Sequence, residues 1–535
     1  MLKIIIVVFC FLFLSGTAVQ AQTTPKRKPP IPSRGVNVDS KKEANKFFTL
    51  GDYASALDAY LNIYKSKPDN TDVNFKIGYC YLVTYIDKSK AIPYLEFAAR
   101  QSDAPGNIHY YLGRAYLINN RFEDAIKAFE KAKISEKYDP ILGPDPEKQI
   151  EICHNASRLF NHPIDVKFEN LGININTAYA EYNPFVTADQ TLLIYTSKRK
   201  LSMDDEEIGG QLTSDIYVST PRVDWQKAKK MDNSINTDYM EESVGLSADG
   251  QKLFIYADNL SSSGDILSST LIGKKWSAPT SLGEFVNSKQ TEKGATMTPD
   301  GNVLYFSSNR KGGFGGFDIY KSQKLPTGDW GIPTNLGPVI NTKYDEDAPL
   351  IFPDANTLYF SSMGHETMGG FDIFKTVLDD STHIWSKPEN IGYPINTTDD
   401  NLFFSLSTNC QYAYISAFRP EGFGDLDIYK VTFNDIKNST LTVIKGIIEG
   451  TILGDSLEPV VAQINLYNDK NSEKIGIYKP NSSTGSFILV LPSGSYKMEI
   501  ISEGYSTYTE SIVVSELHQP PIMSKRIILK RPPVK

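Results

Sequence analysis

The sequence predicts a multi-domain chain with an all-α repeat array first, an all-β array of repeated units next and a small β-sandwich last. Three observations lead to this prediction. Small residues recur within a helical hydrophobic pattern at Ala44, Gly78 and Gly113, which are 34 and 35 residues apart. An Asp-Ile-Tyr triplet or a close variant then begins at Asp215, Asp265, Asp318, Asp372 and Asp427, at spacings of 50 to 55 residues. After Leu441 the hydrophobic pattern follows neither period, and 535 residues are too many for one core.

The first residues have the pattern of a secretory signal, which we place at residues 1–21. Lys3 is followed by an apolar run from Ile4 to Leu14 and by small residues that end at Ala21. The alternative is a retained membrane anchor, but the run is about half of the roughly 20 residues that cross a bilayer. We therefore expect export with cleavage after Ala21, followed by a basic, proline-rich linker over residues 22–38.

Residues 39–160 carry the helical repeat. The segments GDYASALDAYLNIYKSKP, from Gly51, and LGRAYLINNRFEDAIKAFEKA, from Leu112, resemble tetratricopeptide repeats, and residues 145–160 fit a capping helix. The resemblance implies stacked helix pairs with a concave groove that binds other proteins. By the register of the repeat, the inner helices direct four side chains into this groove, and we predict them to bind the partner: Asn45, Tyr79, Tyr110 and Arg114.

Residues 164–435 carry the longer repeat. Each unit has a tight turn followed by an alternating aromatic strand, as in SADGQKLFIYA, TPDGNVLYFSS and FPDANTLYFSS. All four tryptophans of the protein follow one of the first four triplets by 10 to 13 residues, which marks them as structural. These units resemble TolB-like (PD40 or WD40-like) β-propeller repeats, which implies four-stranded antiparallel blades.

The ends of this array predict how the ring closes. The segment VKFENLGININ, which starts at Val166, matches WSKPENIGYPIN near Trp385, whereas the last unit, ending DIYKVTF, has no such strand and no tryptophan. We therefore expect the first strand to complete the last unit. This arrangement gives five blades, and six blades remain the alternative.

Residues 441–533 resemble a carboxypeptidase regulatory-like domain. The residues that carry this resemblance are Gly446, Glu458, Pro459, Ala462, Gly485, Phe487, Pro492, Gly494, Tyr496, Gly504 and Tyr505. The resemblance implies a small transthyretin-like β-sandwich that acts as a rigid spacer or docking module.

The sequence contains no convincing catalytic pattern. Carboxylates recur at the start of the propeller units, at Glu181, Glu241, Glu292, Glu346 and Asp400. A catalytic group normally interrupts a repeat, so we expect these carboxylates to make structural hydrogen bonds. No G-x-S-x-G occurs, and the six histidines form no zinc motif. We therefore predict no enzyme, no cofactor and no metal site, and we expect Cys80 and Cys153 to be buried apolar side chains.

The order of the three domains resembles a family of bacterial envelope proteins, some of them linked to type IX secretion or gliding. Members commonly add an OmpA-like domain that binds the cell wall, but this sequence ends at Lys535 directly after the sandwich, so wall anchoring is not carried over. The resemblance implies a periplasmic or outer-membrane-associated scaffold whose partners are envelope proteins and which meets the membrane only through them. A net charge of −8 disfavours nucleic acid as a partner.

A rival prediction is an envelope receptor that binds a glycan or a peptide in the funnel at the centre of the propeller. The two hypotheses differ in the lining of that funnel. A receptor needs unlike residues from different blades there, whereas a scaffold does not.

Overall fold

A computed structural model describes residues 41–140, 145–187, 190–199, 207–208, 211–258, 264–379, 381–408, 410–434, 446–470, 472, 474–482, 484–491, 493–515 and 522–532. The predicted signal peptide, residues 1–21, and the predicted linker, residues 22–38, lie outside these ranges. No helix within the ranges has both the length and the apolar character needed to cross a membrane.

The helical module, residues 41–160, contains seven α-helices within the described residues: α1 (Lys41–Thr49), α2 (Tyr53–Ser66), α3 (Thr71–Val83), α4 (Ala91–Ala99), α5 (Ile108–Ile118), α6 (Phe122–Lys133) and α7 (Pro146–Phe160). A short 3-10 helix, Lys88–Lys90, precedes α4. Asp52, Asn70 and Asp145 cap the first turns of α2, α3 and α7 with their side-chain oxygens. The sequence thus marks three of the helix starts with side chains that bind free N–H groups.

Glycines allow the paired helices of the module to pack closely. A Cβ atom added at Gly78 would lie 2.6 Å from Cγ of Leu95 on α4, and one at Gly113 would lie 2.7 Å from the ring of Phe129 on α6. Small residues are therefore required where the helices cross, as the repeat pattern predicts. Cys80 and Cys153 are both fully buried, which confirms the prediction for them.

The described residues of the sheet array, within 166–433, form five antiparallel sheets of four or more strands, and the first strand of the array, β1 (Val166–Asn170), belongs to the fifth sheet. The first sheet contains β2 (Glu181–Val186), β3 (Leu193–Ser197), β6 (Asp215–Ser219) and β7 (Lys229–Lys230), and its loop carries the small pair β4 (Glu207–Ile208) and β5 (Gln211–Leu212). The second contains β8 (Met240–Leu246), β9 (Lys252–Asp258), β10 (Asp265–Ile272), β11 (Lys275–Trp276) and β12 (Thr280–Ser281).

The third sheet contains β13 (Glu292–Met297), β14 (Val303–Ser308), β15 (Asp318–Gln323) and β16 (Thr334–Asn335). The fourth contains β17 (Glu346–Ile351), β18 (Thr357–Ser362), β19 (Asp372–Val377) and β20 (Glu389–Asn390). The fifth contains β21 (Phe404–Leu406), β22 (Tyr412–Ala417), β23 (Asp427–Phe433) and β1. Each tryptophan pairs with the end of the third strand of its sheet or with a residue one or two positions beyond it, which gives it the expected structural role.

Consecutive sheets pack against each other through buried apolar side chains, and the fifth sheet packs against the first. Strand β1 pairs with β23 in the register Val166↔Phe433 to Asn170↔Tyr429. The predicted pairing of the first strand with the last unit is therefore present. This arrangement of sheets is consistent with a propeller.

An asparagine, buried in four sheets and half-buried in the second, joins each sheet to the segment that leads into the next. Asn341, for example, accepts a hydrogen bond from the backbone N–H of Ile319 at 2.7 Å and donates one to its carbonyl at 3.0 Å. Five pairs share this arrangement: Asn176–Ile428, Asn236–Ile216, Asn287–Ile266, Asn341–Ile319 and Asn396–Ile373. The first of these pairs links the two ends of the array.

The C-terminal sheet pair consists of two sheets that enclose a common apolar core. One contains β24 (Gly446–Leu453), β27 (Ser486–Leu491) and β30 (Ile522–Ile528). The other contains β25 (Ala462–Asn468), β26 (Lys474–Tyr478), β28 (Gly494–Ser502) and β29 (Tyr508–Val514). Strands β24 and β30 run parallel, and the other pairings are antiparallel.

The helical module docks on loops at one end of the sheet array. Met368, in the loop between β18 and β19, is fully buried in a cluster with α7 side chains. The rings of Phe160 on α7 and Tyr393, before the fifth sheet, lie 4.8 Å apart. Arg158 adds an ion pair with Glu366 at 2.8 Å, and Lys88 binds Asp399.

The sheet pair docks on the opposite end of the array. Its Ile488 and Val490 pack in one cluster with Phe352, which lies in the turn between β17 and β18. Gln251, after the corresponding turn of the second sheet, donates to the carbonyl of Pro480 at 2.9 Å. Because these turns join the first and second strands, they lie at the other end from the loops that contact the helical module. The sheet array thus separates the two flanking modules.

Candidate functional site

Two of the predicted groove residues lie in one polar and aromatic cluster. Asn45 on α1 accepts hydrogen bonds from the hydroxyl of Tyr60 at 2.6 Å and from Nζ of Lys76 at 2.7 Å. Tyr79 on α3 is half-buried, and burial raises its pKa. Lys76 connects the two residues, since its ammonium group also lies 5.5 Å from the centre of the Phe48 ring, which contacts Tyr79.

The ring of Tyr79 is the centre of an aromatic cluster formed by the inner helices α1, α3 and α5 and by the first residue of α2. Its centroid lies 5.1 to 6.2 Å from those of four other rings: Phe48, Tyr53, Phe75 and Tyr111. Aromatic pairs at these distances add stabilisation beyond the buried area, and half-buried tyrosines are frequent in protein interfaces. This cluster, which we call the Tyr79 cluster, is the candidate partner-binding surface of the helical module.

The prediction that Tyr110 faces the groove is wrong. Its side chain is only 5 % exposed and packs against Phe129 and Tyr138, at ring distances of 5.7 and 6.2 Å. The segment after α6 causes this burial, because Asp139 forms two backbone hydrogen bonds with the Asn107 side chain and brings Tyr138 over α5. Tyr111, next along the helix, takes part in the Tyr79 cluster instead.

Arg114 is half-buried, but the structure does not bring it into the Tyr79 cluster. Its guanidinium donates to Oε1 of Gln149 on α7 at 3.3 Å. Arg114 therefore contacts the capping helix, while Asn45 and Tyr79 lie on the two preceding inner helices. The four predicted residues do not form one site.

The recurrent glutamates of the sheet array are structural acceptors. Glu346 accepts hydrogen bonds from the N–H and hydroxyl of Thr342 and from the hydroxyl of Ser362, each at 2.7 Å. Glu181 and Glu292 repeat this arrangement with their own neighbours, and Glu241 binds Thr237 in the same way. Each glutamate thus ties the loop before a sheet to its first strand.

The fifth member of this set is Asn401. The prediction that Asp400 holds this position is wrong. The side-chain oxygen of Asn401 accepts from the N–H of Thr397 at 2.6 Å and from its hydroxyl at 3.1 Å. Asp400 instead accepts from the N–H of Phe371 at 3.0 Å. The error arose because a carboxylate was expected, whereas the position requires only an acceptor oxygen.

A cavity of about 380 Å³ opens at the end of the sheet array where the helical module docks. We call it the funnel. The side chain directly after each recurrent acceptor differs from sheet to sheet: Tyr182, Glu242, Lys293, Asp347 and Leu402. The last four line the funnel, and Tyr182 is buried beside it. The residue at this lining position therefore differs from sheet to sheet, whereas the acceptor directly before it recurs.

Charges of both signs are fixed at the funnel. Tyr182 donates its hydroxyl proton to Glu242 at 2.7 Å, and burial raises the pKa of that carboxyl group, against the effects of Tyr182 and Lys198. The ammonium group of Lys293 lies 4.5 Å from the centre of the Phe317 ring. Asp347 accepts from the hydroxyl of Ser307 at 2.5 Å.

Sequence reasoning did not find these funnel residues. The signal was available in the repeats, because the position after each glutamate varies while the glutamate itself recurs. Within the described residues, no group of three histidine, cysteine, aspartate or glutamate side chains is arranged to hold a metal ion.

Comparisons with known proteins identify one repeat type. The family model for the tetratricopeptide repeat matches residues 87–140. A search of the curated proteins finds no match. Among solved structures, the chain is similar to TolB from Acinetobacter baumannii, with 16% identity and a TM-score of 0.31 over 48% of this chain and 55% of that one. The chain thus spans little more than half of the TolB structure.

Two further solved structures are similar at the same level. One is a glycosyl hydrolase from Bacteroides ovatus, with 12% identity and a TM-score of 0.32 over 49% of this chain and 86% of that one. The other is the Trypanosoma rangeli sialidase, with 9% identity and a TM-score of 0.31 over 64% of this chain and 89% of that one. TM-scores this low carry no functional argument, so the family assignment is confined to residues 87–140, a tetratricopeptide repeat.

Proposed function

We propose that this chain is a non-catalytic scaffold of the cell envelope that holds another protein on its helical module. The observation that carries the proposal is the Tyr79 cluster, a half-buried aromatic surface on the inner helices of a module that contains a tetratricopeptide repeat. Such modules bind polypeptides on their inner helices. Large aromatic side chains supply most of the binding free energy in many protein interfaces.

The proposal includes a division of the chain into three folded domains. These are a tetratricopeptide domain at 39–160, a TolB-like propeller of five blades at 164–435 and a carboxypeptidase regulatory-like sandwich at 441–533. The five sheets and the β1–β23 pairing favour the five-blade ring over the six-blade alternative. The sheet pair with its single core supports the sandwich.

The non-catalytic role is supported by the use of the recurrent carboxylates. Three of the four glutamates hold hydroxyl and backbone donors from two segments, and at the fifth position Asn401 keeps the contact to the preceding loop without a carboxylate. The envelope location and an association with type IX secretion or gliding rest on the signal-like residues 1–21 and on the resemblance of domain order. Periplasmic or outer-membrane-associated proteins are the expected partners.

The experiment compares two tyrosines of the same module. Tyr79→Ala removes the centre of the Tyr79 cluster, whereas Tyr64→Ala removes a half-buried tyrosine that pairs with Tyr94 on the outer helices. Tagged chains are cross-linked in intact envelopes, and the bound proteins are quantified by mass spectrometry. The amount of at least one partner recovered with Tyr79→Ala should be about tenfold lower than with the wild type, whereas Tyr64→Ala should recover the wild-type amount. Equal recovery from the two variants, both folded, would contradict binding at this surface.

A second function is supported by the funnel. The residues that line it differ from sheet to sheet, as expected of a receptor that binds a glycan or a peptide. Calorimetry with soluble cell-wall oligosaccharides and with peptides tests this function on the full chain. A ligand that binds the wild type and is lost in Glu242→Gln would support it, and ligands indifferent to Glu242 would speak against it.

A further inference from the structure

The funnel has a charged mouth and an apolar floor. Glu242, Lys293 and Asp347 lie second or third in strands β8, β13 and β17, near the end that contacts the helical module. Phe185 and Leu350 lie fifth in their strands, and a bulge precedes each of them, so they lie two residues deeper along the partner strand, which is about 7 Å at roughly 3.3 Å per residue. These two apolar residues also line a second cavity of about 80 Å³ behind the funnel, which places them at its floor.

The charges at the mouth are unequal and held in place. Among the described residues that line the cavity, three carboxylates, those of Glu242, Asp345 and Asp347, face one ammonium group, that of Lys293. A second ammonium group, that of Lys198, acts on Glu242 from beside the lining. The side chain of Asp347 accepts hydrogen bonds from Ser307 and from its neighbouring backbone N–H, and Asp345 accepts from the N–H of Phe317 at 2.8 Å. Because hydrogen bonds hold these carboxylates, a cation that pairs with them finds groups that are already ordered.

We propose that the funnel binds an extended segment of a partner polypeptide in which an apolar side chain lies next to a lysine or arginine. The apolar side chain reaches Phe185 and Leu350, and the cation pairs with Glu242 and Asp347. This inference rests on the second function proposed above, that the funnel is a binding site, and it names the class of ligand.

The floor of the funnel favours a peptide over a glycan. Hydroxyl groups of a sugar that reached Phe185 and Leu350 would lose water without gaining a hydrogen-bond partner from those side chains, which costs free energy. An apolar side chain gains free energy in the same place. Half-buried rings at the mouth, among them Phe317 and Phe371, also offer faces to a lysine or arginine.

The position of the mouth suits a polypeptide that continues beyond the funnel. Asp345 follows Tyr344, whose ring lies 5.5 Å from Nζ of Lys148 on α7. Phe371 follows the loop whose Thr367 carbonyl accepts a hydrogen bond from Asn155 of α7. A segment that leaves the funnel therefore meets the helical module at the rim.

The test uses the full chain and three labelled peptides in fluorescence anisotropy. The probe is Gly-Lys-Phe-Lys-Gly, and its two controls are Gly-Glu-Phe-Glu-Gly, which reverses the charge, and Gly-Lys-Gly-Lys-Gly, which removes the apolar side chain. The probe should bind at least about tenfold more tightly than either control, and its binding should weaken as salt rises from about 50 to about 500 mM. Equal affinity for the three peptides would overturn the inference.

Two variants locate the binding. The double variant Glu242→Gln with Asp347→Asn keeps acceptor oxygens for the neighbouring donors. It should bind the probe about tenfold more weakly, or more weakly still. Lys293→Gln removes the repelling cation and should tighten binding about threefold, a direction that partial unfolding does not produce. The matched control Glu284→Gln changes an exposed carboxylate and should have no effect. An unchanged affinity in the double variant overturns the inference.

Failure of the inference and failure of the receptor function have different signatures. If a neutral oligosaccharide binds the wild type but not Glu242→Gln, the funnel is a binding site but its ligand is not a peptide. Absence of any ligand that depends on the funnel residues would overturn both. The scaffold function is tested separately by Tyr79→Ala.

Discussion

Asn170 donates a hydrogen bond from Nδ2 to Oδ2 of Asp427 at 2.8 Å, although 257 residues separate them. The same contact joins Asn335 to Asp318 at 2.9 Å in the third sheet, and it recurs at Asp372 in the fourth. The first strand of the array therefore occupies, in the fifth sheet, the place that the last strand occupies in other sheets. The two ends of the array are joined by a contact that elsewhere stays within one repeat.

Asn170→Ala should loosen this closure, and Asn335→Ala is its matched control. Each substitution removes the bond to the triplet aspartate and two bonds that the asparagine oxygen accepts, so each should lower the free energy of unfolding by about 2 to 3 kcal/mol. Only Asn170→Ala should speed hydrogen exchange in β1 and β23, because only there does the lost bond hold a strand from the far end of the chain. Identical exchange in the two variants would contradict this role.

Two truncations test the same closure at the level of a strand. Deleting residues 1–161 removes the helical module and leaves β1, whereas deleting residues 1–174 also removes β1 and leaves β23 with an unpaired edge. The shorter deletion should leave a soluble array, and the longer one should aggregate or melt at a lower temperature. Equal solubility and equal melting temperature would indicate that another segment closes the ring.

Ala355 adopts a left-handed backbone conformation, with φ of +63°, at a turn where the preceding sheet has Gly301 with φ of +75°. A side chain in this region costs roughly 1 kcal/mol. Ala355→Gly should therefore raise the free energy of unfolding by about 0.5 to 1 kcal/mol, measured by urea denaturation. Gly301→Ala should lower it by about 1 kcal/mol, since the added Cβ would meet only Met297, at 3.9 Å. A destabilised Ala355→Gly would contradict the argument.

Glu346 should make stability depend on pH. Burial raises its pKa to about 7, although the hydroxyl of Ser362 and the donors of Thr342 act in the opposite direction. A carboxyl group with a raised folded-state pKa stabilises the fold fully below its unfolded pKa, near 4.5, and loses this contribution as the pH rises through about 7. The free energy of unfolding should thus fall between about pH 5 and pH 8.

Glu346→Gln should make that fall smaller, because the amide does not titrate. The fifth sheet already has an amide, Asn401, at the equivalent position, so the replacement should be tolerated. Urea denaturation at the two pH values measures the effect, and Glu284→Gln, at an exposed carboxylate, should leave the slope unchanged. An unchanged slope in Glu346→Gln would show that the carboxylate is already ionised in the fold over this pH range.

The positions of single side chains were harder to predict than the repeats that contain them. The register of the helical repeat places Tyr110 on an inner helix, where the structure also has it. Its burial depends on Tyr138, which approaches only because Asp139 binds Asn107. A repeat pattern carries no information on such a segment, since the segment lies between repeats and has no counterpart in the others.

The sequence by itself determined the repeats and their order. Small residues at Gly78 and Gly113 and the period of the Asp-Ile-Tyr triplets arise from contacts that each unit makes locally, so they recur in the sequence. The match between the segment at Val166 and the segment near Trp385 predicted the pairing of β1 for the same reason. Tertiary structure alone decided which side chains meet across sheets and modules. Tyr182 reaches Glu242 in the next sheet, and Phe160 reaches Tyr393 from another module, and each contact joins residues that belong to no common local pattern.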